Sequence, residues 1–180
     1  MKTYNELKLA QELIRFPTVK TEDKGIMKFL SKKLSSIGFK CKIIKSKGTG
    51  SKPALNLFAK FGNSKPHINF LGHTDVVANL NNWKIPPFKG VVSKGYLNGR
   101  GSQDMKGGIA CWISAVSNFI KSKKFKGSIS VIISADEETT GLGTPAVMKY
   151  LKKKGEKIDF SVVGEPSSNK SVGDEIRIGR

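Results

Sequence analysis

Apolar residues recur at helical spacing near the N-terminus. Leu7, Ala10, Leu13 and Ile14 form one stripe that stops before Pro17, and Thr3 with Glu6 has the spacing of a capping box, so the pattern predicts an opening helix. A second stripe, Ile26, Phe29, Leu30, Leu34 and Ile37, predicts a helix over 22–37 closed by Gly38. Short strands are predicted at 40–45, 54–61 and 67–71. The segment 79–96, with Trp83, Pro86, Pro87, Gly90 and Gly95, reads as loop with room for a hairpin. Ile109, Trp112, Ile113, Val116 and Ile120 predict a helix over 105–121. A buried strand follows at 128–134, then a helix at 145–154 and a strand at 160–163. Strands alternating with helices predict an α/β fold, a three-layer sandwich around a mixed, largely parallel sheet. There is no internal repeat or low-complexity linker.

Composition narrows the class. With 180 residues, 38% of them hydrophobic, the chain can bury a core, which excludes general disorder. The longest clean apolar run, VIISA at 131–135, is far short of the roughly 20 residues of a membrane span, and MKTYNELKLAQELIRF lacks the apolar core of a signal peptide. Cys41 and Cys111 stand far apart without Cys-x-x-Cys spacing. This excludes a disulfide framework or a cysteine-type zinc finger and fits a reducing, cytoplasmic setting with no membrane partner.

The net charge of +18 comes from 28 lysines and only 4 arginines. Nucleic-acid readers lean on the bidentate guanidinium and concentrate charge on one face. Here lysine is spread along the chain, with small knots at 121–126 and 152–154 and no aromatics interleaved with the basic residues. The expectation is a solvated basic surface and no nucleic-acid partner. Its field would favour a small anionic substrate.

Carboxylates are scarce, so their placement carries more information. Of fourteen acidic residues, Asp75, Asp104, Glu137, Glu138 and Glu165 fall in short motifs beside strand ends and glycines. INFL runs into Gly72-His73-Thr74-Asp75, SVIIS into Ala135-Asp136-Glu137-Glu138, and FSVV into Gly164-Glu165-Pro166. In an open α/β sheet such positions lie at the carboxyl edge, where ligands bind. GRGSQDMKGG at 99–108 sets Asp104 at the mouth of the third predicted helix. Taken singly, each motif has an ordinary reading: His-x-Asp as a turn, Asp104 as an N-cap, the glutamates as solvated loop residues. His67, the other histidine, is expected to be structural or exposed. Taken together, they make a metal-site arrangement. Carboxylates plus one imidazole favour zinc, manganese or cobalt over a thiolate-type structural zinc. Of the adjacent Glu137 and Glu138, one can ligate while its neighbour acts as general base on a water. Asp75 can accept the remaining imidazole N–H of His73.

GHTDVV, the W-x-x-PPF element, GRGSQDMKGG, the DEE at 136–138 and VVGEPSS resemble, in order and spacing, the dinuclear-zinc deacylase and carboxypeptidase family. The resemblance covers essentially the whole chain. VGEPSS followed by GDEIRIGR is closer to the branch that removes a succinyl group than to the deacetylase or aminoacylase branches. The resemblance implies a zinc-peptidase-like catalytic domain and two divalent metal ions, Zn²⁺ with Co²⁺ as the alternative. Matched position by position, His73, Asp104, Glu138 and Glu165 correspond to metal ligands, with Asp104 bridging. Asp75 corresponds to the residue that orients the histidine and Glu137 to the general base and acid. The implied reaction is hydrolysis of a linear N-succinyl amide of a diamino acid. Deacetylation, aminoacylase or dipeptidase chemistry, and a non-catalytic polyanion-binding role are the alternatives.

The family's chain runs well beyond this one, through a dimerising lid domain, and returns to donate a last ligand histidine. Residues 1–180 are therefore expected to be the N-terminal part of the catalytic domain, inactive alone, with the full-length protein a homodimer through the lid. One stretch departs from the pattern: ANLNN at 78–82 stands where the family more often carries proline.

Overall fold

The computed structural model describes residues 2–49, 52–78, 81, 83–122, 124–167, 170 and 171. The elements are α1 (Glu6–Ile14), α2 (Ile26–Ser35), β1 (Lys40–Ser46), β2 (Ala54–Phe61), β3 (His67–His73), β4 (Val91–Ser93), β5 (Tyr96–Asn98), α3 (Lys106–Ser122), β6 (Ser128–Ser134), α4 (Gly143–Lys153) and β7 (Phe160–Val163). Five strands form one sheet in the order β1-β2-β6-β3-β7, and β4 pairs with β5 as a separate hairpin. β1–β2 and β2–β6 are antiparallel, while β3 runs parallel to both β6 and β7. The expected mixed sheet is thus divided evenly between the two kinds of pairing.

Alternation along the strands explains the layers, because successive side chains face opposite sides of a sheet. Leu57, Ala59, Phe70, Ile129, Val131 and Ile133 belong to the large core under α1, α2 and α3. Phe58 and Ile132, one residue out of phase, meet Val147 and Leu151 of α4 on the other face. The result is a helix–sheet–helix sandwich. Fully buried Asn56 braces its centre. It donates to the Ile44 carbonyl at 3.2 Å and to Ser46 Oγ at 3.0 Å, and accepts the Ala135 N–H at 3.1 Å.

Several boundaries differ from the sequence reading for local reasons. Asn5, not Thr3, caps α1, its Oδ1 accepting the Lys8 N–H at 2.9 Å. Glu6 is instead the first helical residue, and its carboxylate accepts the Ser114 hydroxyl at 3.0 Å. With that start, Leu9 rather than Leu7 faces inward, and Leu7 is exposed. α2 begins at Ile26 because the Asp23 carboxylate accepts the N–H groups of Gly25 and Met27, and Gly25 turns the chain at φ +90°. β3 extends to His73, so that histidine is on the strand, opposite Ser134. His67 is buried, with Nδ1 2.8 Å from the Lys157 carbonyl and Nε2 2.7 Å from Ser130 Oγ. The hairpin anticipated within 79–96 falls at 91–98. Most of the ANLNN stretch and the GDEIRIGR segment lie outside the described residues. Among the described residues no helix is long and apolar enough to cross a membrane.

Candidate metal centre

Because β6, β3 and β7 are neighbours and parallel, they leave the sheet at the same edge. His73 stands opposite Ser134, and Leu71 opposite Val163. The Thr74 N–H donates to the Ser134 carbonyl at 2.9 Å and the Gly164 N–H to the Leu71 carbonyl at 2.9 Å, which carries the alignment past the strand ends. Asp104 reaches this edge from the loop before α3, and its peptide bond to Met105 is cis. Met105 is fully buried against two strand-exit glycines. A Cβ added at Gly72 would lie 2.7 Å from Met105 Cε, and one at Gly164 would lie 2.6 Å from it. These two positions admit the methionine, next in sequence to Asp104, only without side chains.

The side chains converge on His73 Nε2. Asp104 Oδ1 lies 2.9 Å away, Glu165 Oε1 3.3 Å and Glu137 Oε2 4.0 Å. Potential ligand atoms form two groups around that imidazole, His73 with Asp104 and Glu138, and His73 with Glu137 and Glu165. Within each group the atoms lie within 4.8 Å of one another. The opposite nitrogen, Nδ1, is 3.0 Å from the main-chain carbonyl of Asp75. A carbonyl only accepts, so Nδ1 carries the proton. The imidazole N–H assigned to the Asp75 carboxylate by the sequence reading therefore goes to the Asp75 main chain. The fully buried carboxylate stays beside the ring and takes a further partner. Its Oδ2 accepts the Glu138 N–H at 2.8 Å, and its Oδ1 lies 3.5 Å from His73 Nδ1 with no hydrogen bond.

The electrostatics are those of crowded negative charge. Burial is the largest single influence on His73 and disfavours the imidazolium. Asp104, Asp75 and Glu165 together outweigh it and raise its pKa to about 11. The Glu138 carboxyl is pushed up, first by burial and then by Asp104, Glu137 and Asp75, with His73 opposing. Oxygen donors and one imidazole, packed so closely that their ionised forms repel, fit a divalent cation. A cavity of about 450 Å³ opens beside Asp104 and Glu138. It is lined also by Trp83 and Arg100, with the guanidinium 5.1 Å from the indole centroid.

Two contributors were missed in the sequence. Asp136 is fully buried and organises the turn that carries both glutamates. It accepts the Thr140 N–H at 2.9 Å, the Thr140 hydroxyl and the Leu142 N–H at 3.3 Å. An Asp followed four places later by Thr was the available signal. Lys106 is fully buried, and burial lowers its pKa to about 7 against the pull of Asp75. A cation in the first turn of a helix opposes the helix dipole, and that misfit was a legible hint of another role.

Residues 70–179 match the model of peptidase family M20/M25/M40. A succinyl-diaminopimelate desuccinylase of Pelagibacter ubique (strain HTCC1062) is 52% identical over 184 residues, covering 100% of this chain and 48% of the relative. One from Ehrlichia canis (strain Jake) is 46% identical over 178 residues, covering 97% of this chain and 46% of the relative. The chain thus spans about half the length of these relatives. Among solved structures, an M20 family metallo-carboxypeptidase from Sulfolobus solfataricus superposes with a TM-score of 0.75 at 18% identity, over 92% of this chain and 38% of that one.

Proposed function

Since the chain belongs to peptidase family M20/M25/M40, whose members use divalent metal ions, we propose that it is the N-terminal part of the catalytic domain of a succinyl-diaminopimelate desuccinylase. The full protein would hydrolyse N-succinyl-LL-2,6-diaminopimelate to succinate and LL-2,6-diaminopimelate, a step of lysine biosynthesis. The observation that carries the reading is the convergence of Asp104, Glu165 and Glu137 on one buried imidazole nitrogen at the carboxyl edge of the sheet.

In this reading His73, Asp104, Glu138 and Glu165 would hold two zinc ions, with Asp104 as the shared carboxylate and cobalt as a substitute. When bound, the ions supply polarisation of the scissile carbonyl and of the attacking water. The Asp75 carbonyl keeps a proton on His73 Nδ1, which makes Nε2 the nitrogen that would ligate once its own proton is displaced. Glu137, half exposed and facing the cluster, takes a proton from water and returns it to the leaving amine. The remaining half of the protein would close the sheet beyond β7, whose Phe160, Val162 and Val163 are exposed, and would supply the dimerising lid. The two free cysteines suit a cytoplasmic place.

The deciding experiment assays the full-length protein with N-succinyl-LL-2,6-diaminopimelate and N-acetylornithine side by side. Preference for the succinyl substrate is expected. A ratio favouring acetylornithine would overturn the assignment.

A further inference from the structure

The start of α3 is tied to His73 by a route that avoids the side chains gathered around Nε2. Lys106 Nζ donates to the Phe16 carbonyl, just past the end of α1, at 2.7 Å. Its stem runs so close to Gly101 that a Cβ there would come within 3.2 Å of Lys106 Cδ. Beyond Pro17 the chain lies along the loop that follows β3. Thr18 Oγ1 donates to the Thr74 carbonyl at 2.6 Å. The Val76 N–H donates to the Thr18 carbonyl at 3.0 Å, and the Lys20 N–H to the Val76 carbonyl at 3.2 Å. The strip clamped in this way, 74–76, contains both acceptors supplied by Asp75, the carbonyl that receives His73 Nδ1 and the carboxylate that receives the Glu138 N–H.

An amine sealed in the interior is costly, and a purely packing role would be served better by an apolar side chain of the same length. We infer that Lys106 is a positioning residue: through Phe16 and Thr18 it fixes the strip 74–76, and with it the ring of His73 and the main chain at Glu138. The inference rests on the metal-site reading above, and it concerns the orientation of the ligands rather than their identity.

The test uses the 180-residue chain in two variants. Lys106→Met keeps the stem and removes the donor; Thr18→Val keeps the shape and removes the hydroxyl. Cobalt is titrated by its visible absorption, and the ring nitrogens of the two histidines are followed by ¹⁵N NMR without metal. Both variants should keep the wild-type far-UV circular dichroism, bind cobalt roughly 10–100-fold more weakly, and shift the His73 ring signals. Those of His67, at the other end of β3, should stay in place. Because both act on one strip, the double variant should lose less affinity than the sum of the singles. Should Lys106→Met fail to fold, Thr18→Val decides. Folded variants with unmoved His73 signals and wild-type cobalt affinity overturn the inference alone. A wild-type chain that takes up no cobalt overturns the metal-site reading, and the ring signals then still decide whether Lys106 positions His73.

Discussion

The Asp75 carboxylate receives the main-chain N–H of Glu138 across 2.8 Å, joining the exit of β3 to the exit of β6. One buried residue therefore sets the imidazole through its carbonyl and the glutamate pair through its side chain. Asp75→Ala removes the acceptor and leaves the Glu138 N–H without it, at a cost of about 1–3 kcal/mol. Asp75→Asn keeps an acceptor oxygen and should cost less. Urea denaturation of the metal-free variants measures both. Equal losses would mean that the charge, not the hydrogen bond, is what matters.

The adjacent glutamates should separate cleanly in the full-length protein. Glu137→Gln is expected to lower turnover about 10²–10⁴-fold with metal content nearly intact, because a base is lost and a ligand is not. Glu138→Gln should instead reduce bound metal. Elemental analysis alongside kinetics checks the pair, and the reverse pattern would exchange their roles.

His73 gives metal binding a definite dependence on pH. Its folded pKa of about 11 lies above the ordinary 6.5, so the stability it lends the metal-free chain is complete below about pH 6.5 and fades as pH rises towards 11. The stability gap between wild type and His73→Gln should shrink from pH 7 to pH 10. A metal ion must displace the proton on Nε2, so uptake near neutral pH should release one proton, and affinity should rise with pH. Calorimetry in buffers of different ionisation enthalpy counts that proton. A count near zero would contradict the protonated resting site.

Gly164→Ala tests the seat of Asp104. The new Cβ would stand 2.3 Å from Phe70 Cζ and 2.6 Å from Met105 Cε. Overpacking of this kind costs roughly 1–3 kcal/mol, and displacement of Met105 should also weaken cobalt binding. A stability loss without any loss of affinity would show that Met105 does not position Asp104.

Zinc stoichiometry tests the division of ligands between the two halves of the protein. In the proposed assignment His73, Glu165 and Asp104 would complete the protein ligands of one ion, whereas Glu138 and Asp104 would leave the second ion short of a ligand. The 180-residue chain should bind about one equivalent and hydrolyse no succinyl-diaminopimelate, because two-metal hydrolysis needs both ions. Two tightly held equivalents with turnover would show that the other half is dispensable.

The site was legible wherever an apolar run ends abruptly. INFL, SVIIS and FSVV each stop on a small or glycine residue followed by His, Asp or Glu, and strand alternation needs no tertiary information to be read. Helix starts were less legible because Thr3 and Asn5 are both competent caps, and only the path of the chain selects Asn5. Leu7 and Leu9 flank the Ala10, Leu13 and Ile14 stripe on opposite sides, so the inward edge could not be assigned from spacing alone. Lys106 was legible only as a misplaced cation at a helix start, and what holds it was not. Its burial depends on the Phe16 carbonyl, which local sequence does not bring near it.

The parallel register of β3 on β6 and β7 has a consequence in time. Antiparallel β1 and β2 can zip through a short connection, but His67 cannot meet Ser128, nor Ile68 meet Phe160, until long intervening segments have been gathered in. Such non-local closure is slow, since the chain loses its freedom before the contacts compensate. The proposed donors lie at residues 73, 104, 138 and 165, on segments that come together only once these parallel pairings close. Under the proposed metal reading, an ion would act on this chain as a late latch. It would slow the unfolding of a finished sheet without hastening its assembly, and a chelator added during refolding should leave the rate of strand docking unchanged.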